Sequence, residues 1–184
     1  MKPKLVILIS GKRKCGKDYL SARLLSRIGE EKCEIIRISE PIKSHWAQKK
    51  GLNLSELLSD GPYKEQYRKE MIVWSDSVRK NEPGFFCNAS IQKSTKPIVI
   101  VSDIRRKTDI QFFRNCGFII KTIRIDANEE VRRQRGWKFE AGVDDVQSEC
   151  DLDDFELWDM VIDNNGGISA EVHLENILNH SEKV

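Results

Sequence analysis

Five short apolar runs punctuate the chain, and between most of them the apolar residues shift to a helical spacing. The runs are Leu5–Ile9, Ile35–Ile38, Ile98–Val101, Phe118–Ile125 and Met160–Ile162. They are rich in Ile and Val and read as strands buried on both faces. Helical patterns cover Lys17–Ile28, Ile42–Lys50, Asp109–Asn115, Asn128–Arg135 and Ser169–Asn179. This alternation predicts an α/β fold, a five-stranded parallel sheet with helices on both faces. Such sheets bind ligands at the carboxyl ends of their strands. The segment between the second and third runs, about Ile42 to Pro97, is too long for a plain crossover and reads as a helical insertion. Tyr63, Tyr67, Met71, Trp74 and Val78 recur there at helical spacing and are expected in the core. Lys64, Arg68, Lys69 and Arg79 occupy the other positions, as a solvated face or a cover for an anion.

At 184 residues, with no internal repeat or low-complexity linker, the chain is expected to form one domain. Lys and Arg number 31 against 29 Asp and Glu, a net charge of only +2. General attraction to nucleic acid or membrane is therefore weak, and any polyanion must be held by local cation clusters. Five scattered cysteines without C-x-x-C spacing argue against a zinc site or disulfide framework and for a reducing compartment. No signal peptide or transmembrane run is legible, so a cytosolic protein is expected. The terminal Ser181-Glu182-Lys183-Val184 is not an S-K-L-type peroxisomal address.

Directly after the first strand stands Gly11-Lys12-Arg13-Lys14-Cys15-Gly16-Lys17-Asp18. A buried strand, a G-x4-G-K turn and an amphipathic helix make a phosphate-binding loop, with an aspartate where Ser or Thr is usual. Its glycines permit a tight turn, its N–H groups form an anion nest, and the helix adds its positive end. Lys17 is placed to reach the β- and γ-phosphates. The third strand ends in Asp103, which suits a Mg²⁺ ion, directly or through water, or a helix cap. Arg105, Arg106 and Lys107 follow at once, where guanidinium forks suit phosphate oxygens. Arg132-Arg133-Gln134-Arg135-Gly136-Trp137 closes a helix, either pairing with its dipole or forming a mobile lid. The acidic stretch Glu140–Glu156 that follows reads as a solvated loop and short helix. Asp163-Asn164-Asn165-Gly166-Gly167, after the last strand, is a turn or a place for a nucleotide base.

No nucleophile–base arrangement is legible, and His45, His173 and His180 have no metal spacing. Transfer to an alcohol benefits from a general base. A phosphate acceptor already carries about −1.5 to −2 charge at pH 7 and needs none. Many cations and no obvious base point to such an acceptor.

The quoted motifs, with Tyr63-Lys64-Glu65, Pro83-Gly84-Phe85-Phe86-Cys87, Val101–Arg106, Asp109-Ile110-Gln111, Gln134–Trp137 and Gly142–Asp145, together resemble the animal-type phosphomevalonate kinase family over nearly the whole chain. The family resembles nucleoside monophosphate kinases in fold and is unrelated to the GHMP-type enzymes of yeast and plants. The resemblance implies a three-layer α/β/α P-loop kinase, core 1–41 and 98–184, with an acceptor-binding helical insertion near 42–97 and a lid near 132–148. It implies a monomer that transfers phosphate from ATP, with Mg²⁺, to (R)-5-phosphomevalonate in isoprenoid and sterol synthesis. Lys17, Asp18, Arg105 and Arg135 would then be catalytic. Gly11, Lys12, Arg13, Lys14, Cys15, Gly16, Lys17, Asp18, Arg135, Asn165 and His173 would bind ATP. Lys43, Lys64, Arg68, Arg79, Arg105, Arg106 and Asn164 would bind the acceptor, and Asp18 and Asp103 the metal. Asp18 is normal in the family and acts on the metal shell or orients Lys17. Mammalian members carry serine where this chain has Cys15, which is expected to place an oxidisable thiol beside the phosphates. A deoxynucleoside monophosphate kinase, whose phage members have a similar loop, and a non-catalytic nucleotide-binding adaptor are the alternatives.

Overall fold

The apolar run Leu5–Ile9 becomes the middle of the sheet. The structure is a computed structural model and describes residues 3–59 and 62–182. The strands are β1 (Leu5–Ser10), β2 (Cys33–Ile36), β3 (Ile98–Ile104), β4 (Ile119–Asp126) and β5 (Met160–Asp163). They lie in the order β2-β3-β1-β4-β5, and every neighbouring pair is parallel. Val6, Ile7, Leu8 and Ile9 have no exposure at all. Each such side chain contributes about 1.5–3 kcal/mol by burial.

Side chains alternate along β1 and so divide the core in two. Val6 and Leu8 pack with Phe86, Val101, Ile110 and Phe113, from β3 and the helices α5 (Phe85–Ile91) and α6 (Lys107–Asn115). Ile7 and Ile9 pack with Leu20, Leu24, Leu174 and Ile177, from α1 (Lys17–Ile28) and α9 (Ala170–Glu182). Helices thus cover both faces, which makes the three layers. Helices α2 (Ser39–Lys50), α3 (Leu54–Leu58) and α4 (Glu65–Asn81), with a 3-10 turn at Pro62–Lys64, complete the segment between β2 and β3. Of the five apolar positions expected in the core there, Met71 is buried, and Trp74 and Val78 pack against the core. Trp74 stacks on His45 at 4.1 Å. Tyr63 and Tyr67 instead pair edge to face with each other.

The second strand runs two residues earlier than the apolar pattern predicts. Both oxygens of Asp103 take backbone N–H groups, from Ile38 at 2.7 Å and Ser39 at 3.0 Å. These bonds turn the chain out of the sheet and start α2 at Ser39 rather than Ile42. Pro41 sits in its first turn, where a missing N–H costs nothing. Asn128 stands outside α7 (Glu129–Gln134) as its cap, accepting from Val131 N at 2.9 Å. The β1–β3 register shifts between Leu8↔Val101 and Ser10↔Ile104. The extra residue bulges β3 at Ser102 and Asp103, and bulges of this kind re-aim side chains beside sites. Among the described residues, no helix is long and apolar enough to cross a membrane. Lys183 and Val184, the end of the terminal tetrapeptide, lie outside the described residues.

Glu34 ties β2 to the chain entering β3. One of its oxygens accepts from Ser94 Oγ, Thr95 N and Lys96 N at 2.6–2.8 Å. Burial pushes its pKa up, but these donors outweigh burial and hold it below the ordinary value. A depressed carboxyl pKa stabilises the fold above the unfolded value, about 4.3, and that contribution is lost as pH falls through the folded pKa. Glu34→Gln is expected to cost about 1–2 kcal/mol at pH 7. Urea unfolding of both proteins should show the gap closing as pH falls through the depressed folded pKa of Glu34.

Candidate active site

β1 delivers the chain into a loop with no room for side chains at two positions. A Cβ on Gly11 would lie 2.5 Å from both Cys15 Sγ and the Ile125 carbonyl oxygen. Gly16 has φ +97°, and a Cβ there would lie 2.3 Å from Asn164 Nδ2. Lys14 adopts a left-handed φ of 62° without being glycine, a local cost of about 1–2 kcal/mol. The Cys15 carbonyl accepts from Asn164 Nδ2 at 2.8 Å and Arg135 Nη1 at 3.0 Å. The Gly16 N–H, on the opposite side of that trans peptide, points away from them. Lys17 opens α1, is 7% exposed and lies 3.3 Å from Asp18.

The loop forms one end of a cavity of about 780 Å³, a volume suited to small ligands. Among the described residues, its lining holds eleven lysines and arginines against four carboxylates. A chain of net charge +2 thus concentrates positive potential in one cleft. Of the residues expected at the site, the cleft gathers Arg13, Lys14, Gly16, Lys17, Asp18, Lys43, Lys64, Arg68, Arg79, Asp103, Arg105, Arg106 and Arg135. Gly11, Lys12, Cys15, Asn164, Asn165 and His173 do not line it. Arg37 and Glu149 do, and neither was expected. Arg37 interrupts the second apolar run as a lone cation; Glu149 lies in a stretch whose only legible property is its charge.

After β3, one fully buried carboxylate organises the arginines. Asp109 Oδ1 pairs with Arg79 at 2.6 Å, and Oδ2 accepts from the backbone N–H of Arg105 and Arg106. Arg106 also pairs with Asp76. Arg105 pairs with Glu149 at 2.6 Å. Burial pulls the Arg105 pKa down, but Glu149 and Asp103 outweigh it and keep the group charged. Burial pushes the Lys43 pKa down, and Asp103 offsets this only in part. Arg68 is held by Glu65 through two bonds of 2.6 and 2.7 Å. The α4 face that meets the cleft includes Met71 and Ser75 as well as Arg68 and Arg79. The cationic and apolar positions of α4 therefore share a wall instead of occupying opposite faces.

Asp103 is a helix cap first, since both oxygens already accept N–H bonds. Each oxygen keeps a lone pair for a water. The Asp18 carboxylate is about half exposed, with Lys17 beside it. Among the described residues, no group of three or more His, Cys, Asp or Glu could hold a metal unaided. One or two oxygen donors beside a phosphate site nevertheless fit Mg²⁺, which is usually completed by substrate phosphates and water.

The acidic stretch holds the expected short helix, Gln147–Cys150, and exposes Asp145, Asp154 and Glu156, but it is not simply solvated. Asp144 accepts from Arg13 at 3.0 Å, Trp137 Nε1 at 3.1 Å and Glu140 N at 2.9 Å. Lys12 donates to the Glu149 carbonyl at 2.8 Å and pairs with Asp153 at 2.6 Å. Lys107 pairs with Asp154 at 2.8 Å. Arg132 lies 4.1 Å over the Trp137 ring, and Trp137 is buried. The expectation missed this because the partners lie more than 130 residues apart for Lys12 and Arg13.

Comparison with known proteins agrees with this geometry. The phosphomevalonate kinase family model matches residues 9–118. The Drosophila melanogaster phosphomevalonate kinase is 51% identical over 173 residues, covering 90% of this chain and 91% of the relative. The chain belongs to the phosphomevalonate kinase family. In fold it is similar to shikimate kinase from Acinetobacter baumannii, with a TM-score of 0.55 and 18% identity, over 97% of this chain and 92% of that one. It is also similar to a deoxyadenosine kinase from M. mycoides, with a TM-score of 0.50 and 14% identity, over 97% and 98%. The fold is therefore that of a P-loop kinase.

Several residues carried over from the family resemblance stand elsewhere than expected. Lys12 turns from the phosphate side to Asp153 and Glu149. Asn164 braces the loop through the Cys15 carbonyl and does not line the cleft. Arg135 grips the Cys15 and Asn164 carbonyls, at 3.0 and 2.7 Å. Asn165 accepts from Asn128 N at 2.8 Å and ties the last strand turn to α7. His173 is buried within α9, away from the cleft. Cys15 is 1% exposed and packs in the core on the α1 side. Burial raises its pKa, against Lys17, which lowers it. The thiol therefore lies under the loop, not beside the phosphates. Iodoacetamide at pH 8 should leave Cys15 unlabelled in the folded protein and label it in urea, as read by peptide mass spectrometry.

Proposed function

We propose that this member of the family transfers the γ-phosphoryl group of ATP to the phosphate of (R)-5-phosphomevalonate, giving 5-diphosphomevalonate and ADP. The observation that carries the reading is a single cleft lined both by the phosphate loop and by arginines and lysines from outside the loop. Two polyanions meet there, so the principal task is to hold them in line and neutralise their repulsion. Gly16, Lys14 and Lys17 hold the ATP phosphates. Arg105, Arg106, Lys43 and Arg68 hold the acceptor, with Arg79 supporting from its pairing with Asp109. An acceptor phosphate oxygen attacks the γ-phosphorus, and the bond to the ADP oxygen breaks. Lys17 follows the charge as it moves to the leaving oxygen. No proton has to be removed from the acceptor's dianion, in keeping with a lining that includes no histidine among the described residues.

Mg²⁺ supplies further neutralisation of the transferring group when bound with ATP, and Asp18, with Asp103 through water, would hold it. Arg135 fixes the loop from behind while it lines the cleft. The segment near 132–148 acts as the lid and the helices near 42–97 as the acceptor-binding part. All groups come from one chain, which supports action as a monomer. Scattered cysteines without the spacing of a disulfide framework support a reducing compartment such as the cytosol.

ADP release should occur with phosphomevalonate and with none of the nucleoside monophosphates; the reverse pattern would sink the proposal. Lys17→Met is expected to lower kcat by about 10²- to 10³-fold with an unchanged circular dichroism spectrum. Unchanged turnover would remove Lys17 from the mechanism. Arg105→Ala should raise the acceptor KM by about ten- to a hundredfold and move the ATP KM much less. A larger effect on ATP would exchange the two ends of the cleft.

A further inference from the structure

Glu149 lies in the cleft with its side chain 7% exposed. One oxygen pairs with Arg105 at 2.6 Å, and the other, Oε2, has no hydrogen-bond partner among the described residues. A half-satisfied buried carboxylate is costly, and natural proteins keep few. Its backbone is tethered as well, because the Glu149 carbonyl accepts from Lys12 of the phosphate loop at 2.8 Å. Nearby, Asp144 and Asp153 pair with Arg13 and Lys12. Carboxylates of one segment thus stand on cations that line or flank a phosphate cleft.

We propose that Glu149 is a built-in competitor, a carboxylate that occupies Arg105 in place of the acceptor's phosphate and must be displaced by it. The inference rests on the reading of Arg105 as an acceptor-phosphate group. The guanidinium fork that holds Glu149 is the same one that a phosphate would take. A carboxylate brings one negative charge and two oxygens, whereas a phosphate monoester brings nearly two charges and three oxygens. A phosphate therefore wins the exchange, and an alcohol or a lone carboxylate does not. The unpartnered Oε2 makes Glu149 easy to release, since only one oxygen gives up a bond. The exchange weakens by one common factor every ligand that needs Arg105 and leaves untouched a ligand that does not.

Wild type and Glu149→Gln are compared by calorimetric titration without ATP, using phosphomevalonate, mevalonate and inorganic pyrophosphate. Glu149→Gln should bind phosphomevalonate and pyrophosphate about tenfold tighter, whereas mevalonate, which brings no phosphate to Arg105, should change little, so the preference for phosphomevalonate should widen. Its melting temperature without ligand should fall, and the rise on adding pyrophosphate should exceed that of wild type. Glu149→Asp, which keeps the charge on a shorter arm, should fall between the two and serves if the glutamine variant does not fold. Equal or weaker anion binding in the variant would mean that Glu149 merely orients Arg105, and it overturns the proposal. Pyrophosphate decides this whether or not wild type turns over phosphomevalonate; absent turnover would count against the proposed function alone.

Discussion

The site depends on a steric constraint at the end of β1. Neither Gly11 nor Gly16 has space for a Cβ, because Ile125, Cys15 and Asn164 already fill it. The loop is wedged between the first strand, the end of its neighbour β4 and the residue that follows β5. Asn164 and Arg135 then fix the Cys15 carbonyl from behind. The nest is consequently formed before a ligand arrives, and little ordering entropy remains to oppose phosphate binding. Cys15 belongs to the same wedge, with its sulfur supporting the loop from the core side.

Concentrating eleven cations in one cleft creates self-repulsion that must be balanced. The chain balances it with carboxylates from four places. Asp109 holds Arg79 and the backbone before α6. Glu65 holds Arg68 within its own helix. Asp76 meets Arg106 from α4. The 140–156 stretch reaches back to Lys12, Arg13 and Arg105. The first three orient cations that a ligand can still approach. The last contributes Glu149, which occupies a cation that a ligand needs. Near-neutral net charge is therefore the sum of a strongly positive cleft and the carboxylates arranged around it.

Much of this was legible along the chain. The alternation of apolar runs with helical spacing carried all five strands and the three layers, because a parallel sheet buries its strands on both faces and leaves long apolar runs. The phosphate loop, Lys17 and the strand-end arginines were legible because each depends on a short, contiguous segment. The end of β2 was not. It is set by Asp103, 65 residues after the Ile38 N–H that it accepts from.

Sequence by itself determined the fold class, the phosphate loop, the cation supply and, through its ordered motifs, the family. Those properties rest on local spacing and on backbone rules that hold wherever the segment lies. Tertiary structure alone decided which cations face the cleft and which are already paired. It turned Lys12 away, buried Cys15 and His173, assigned Asn164 to the loop's support and brought Glu149 onto Arg105. Each of these outcomes depends on two groups distant in the chain meeting in space, and burial then decides whether a charge is solvated, paired or left to wait for a ligand.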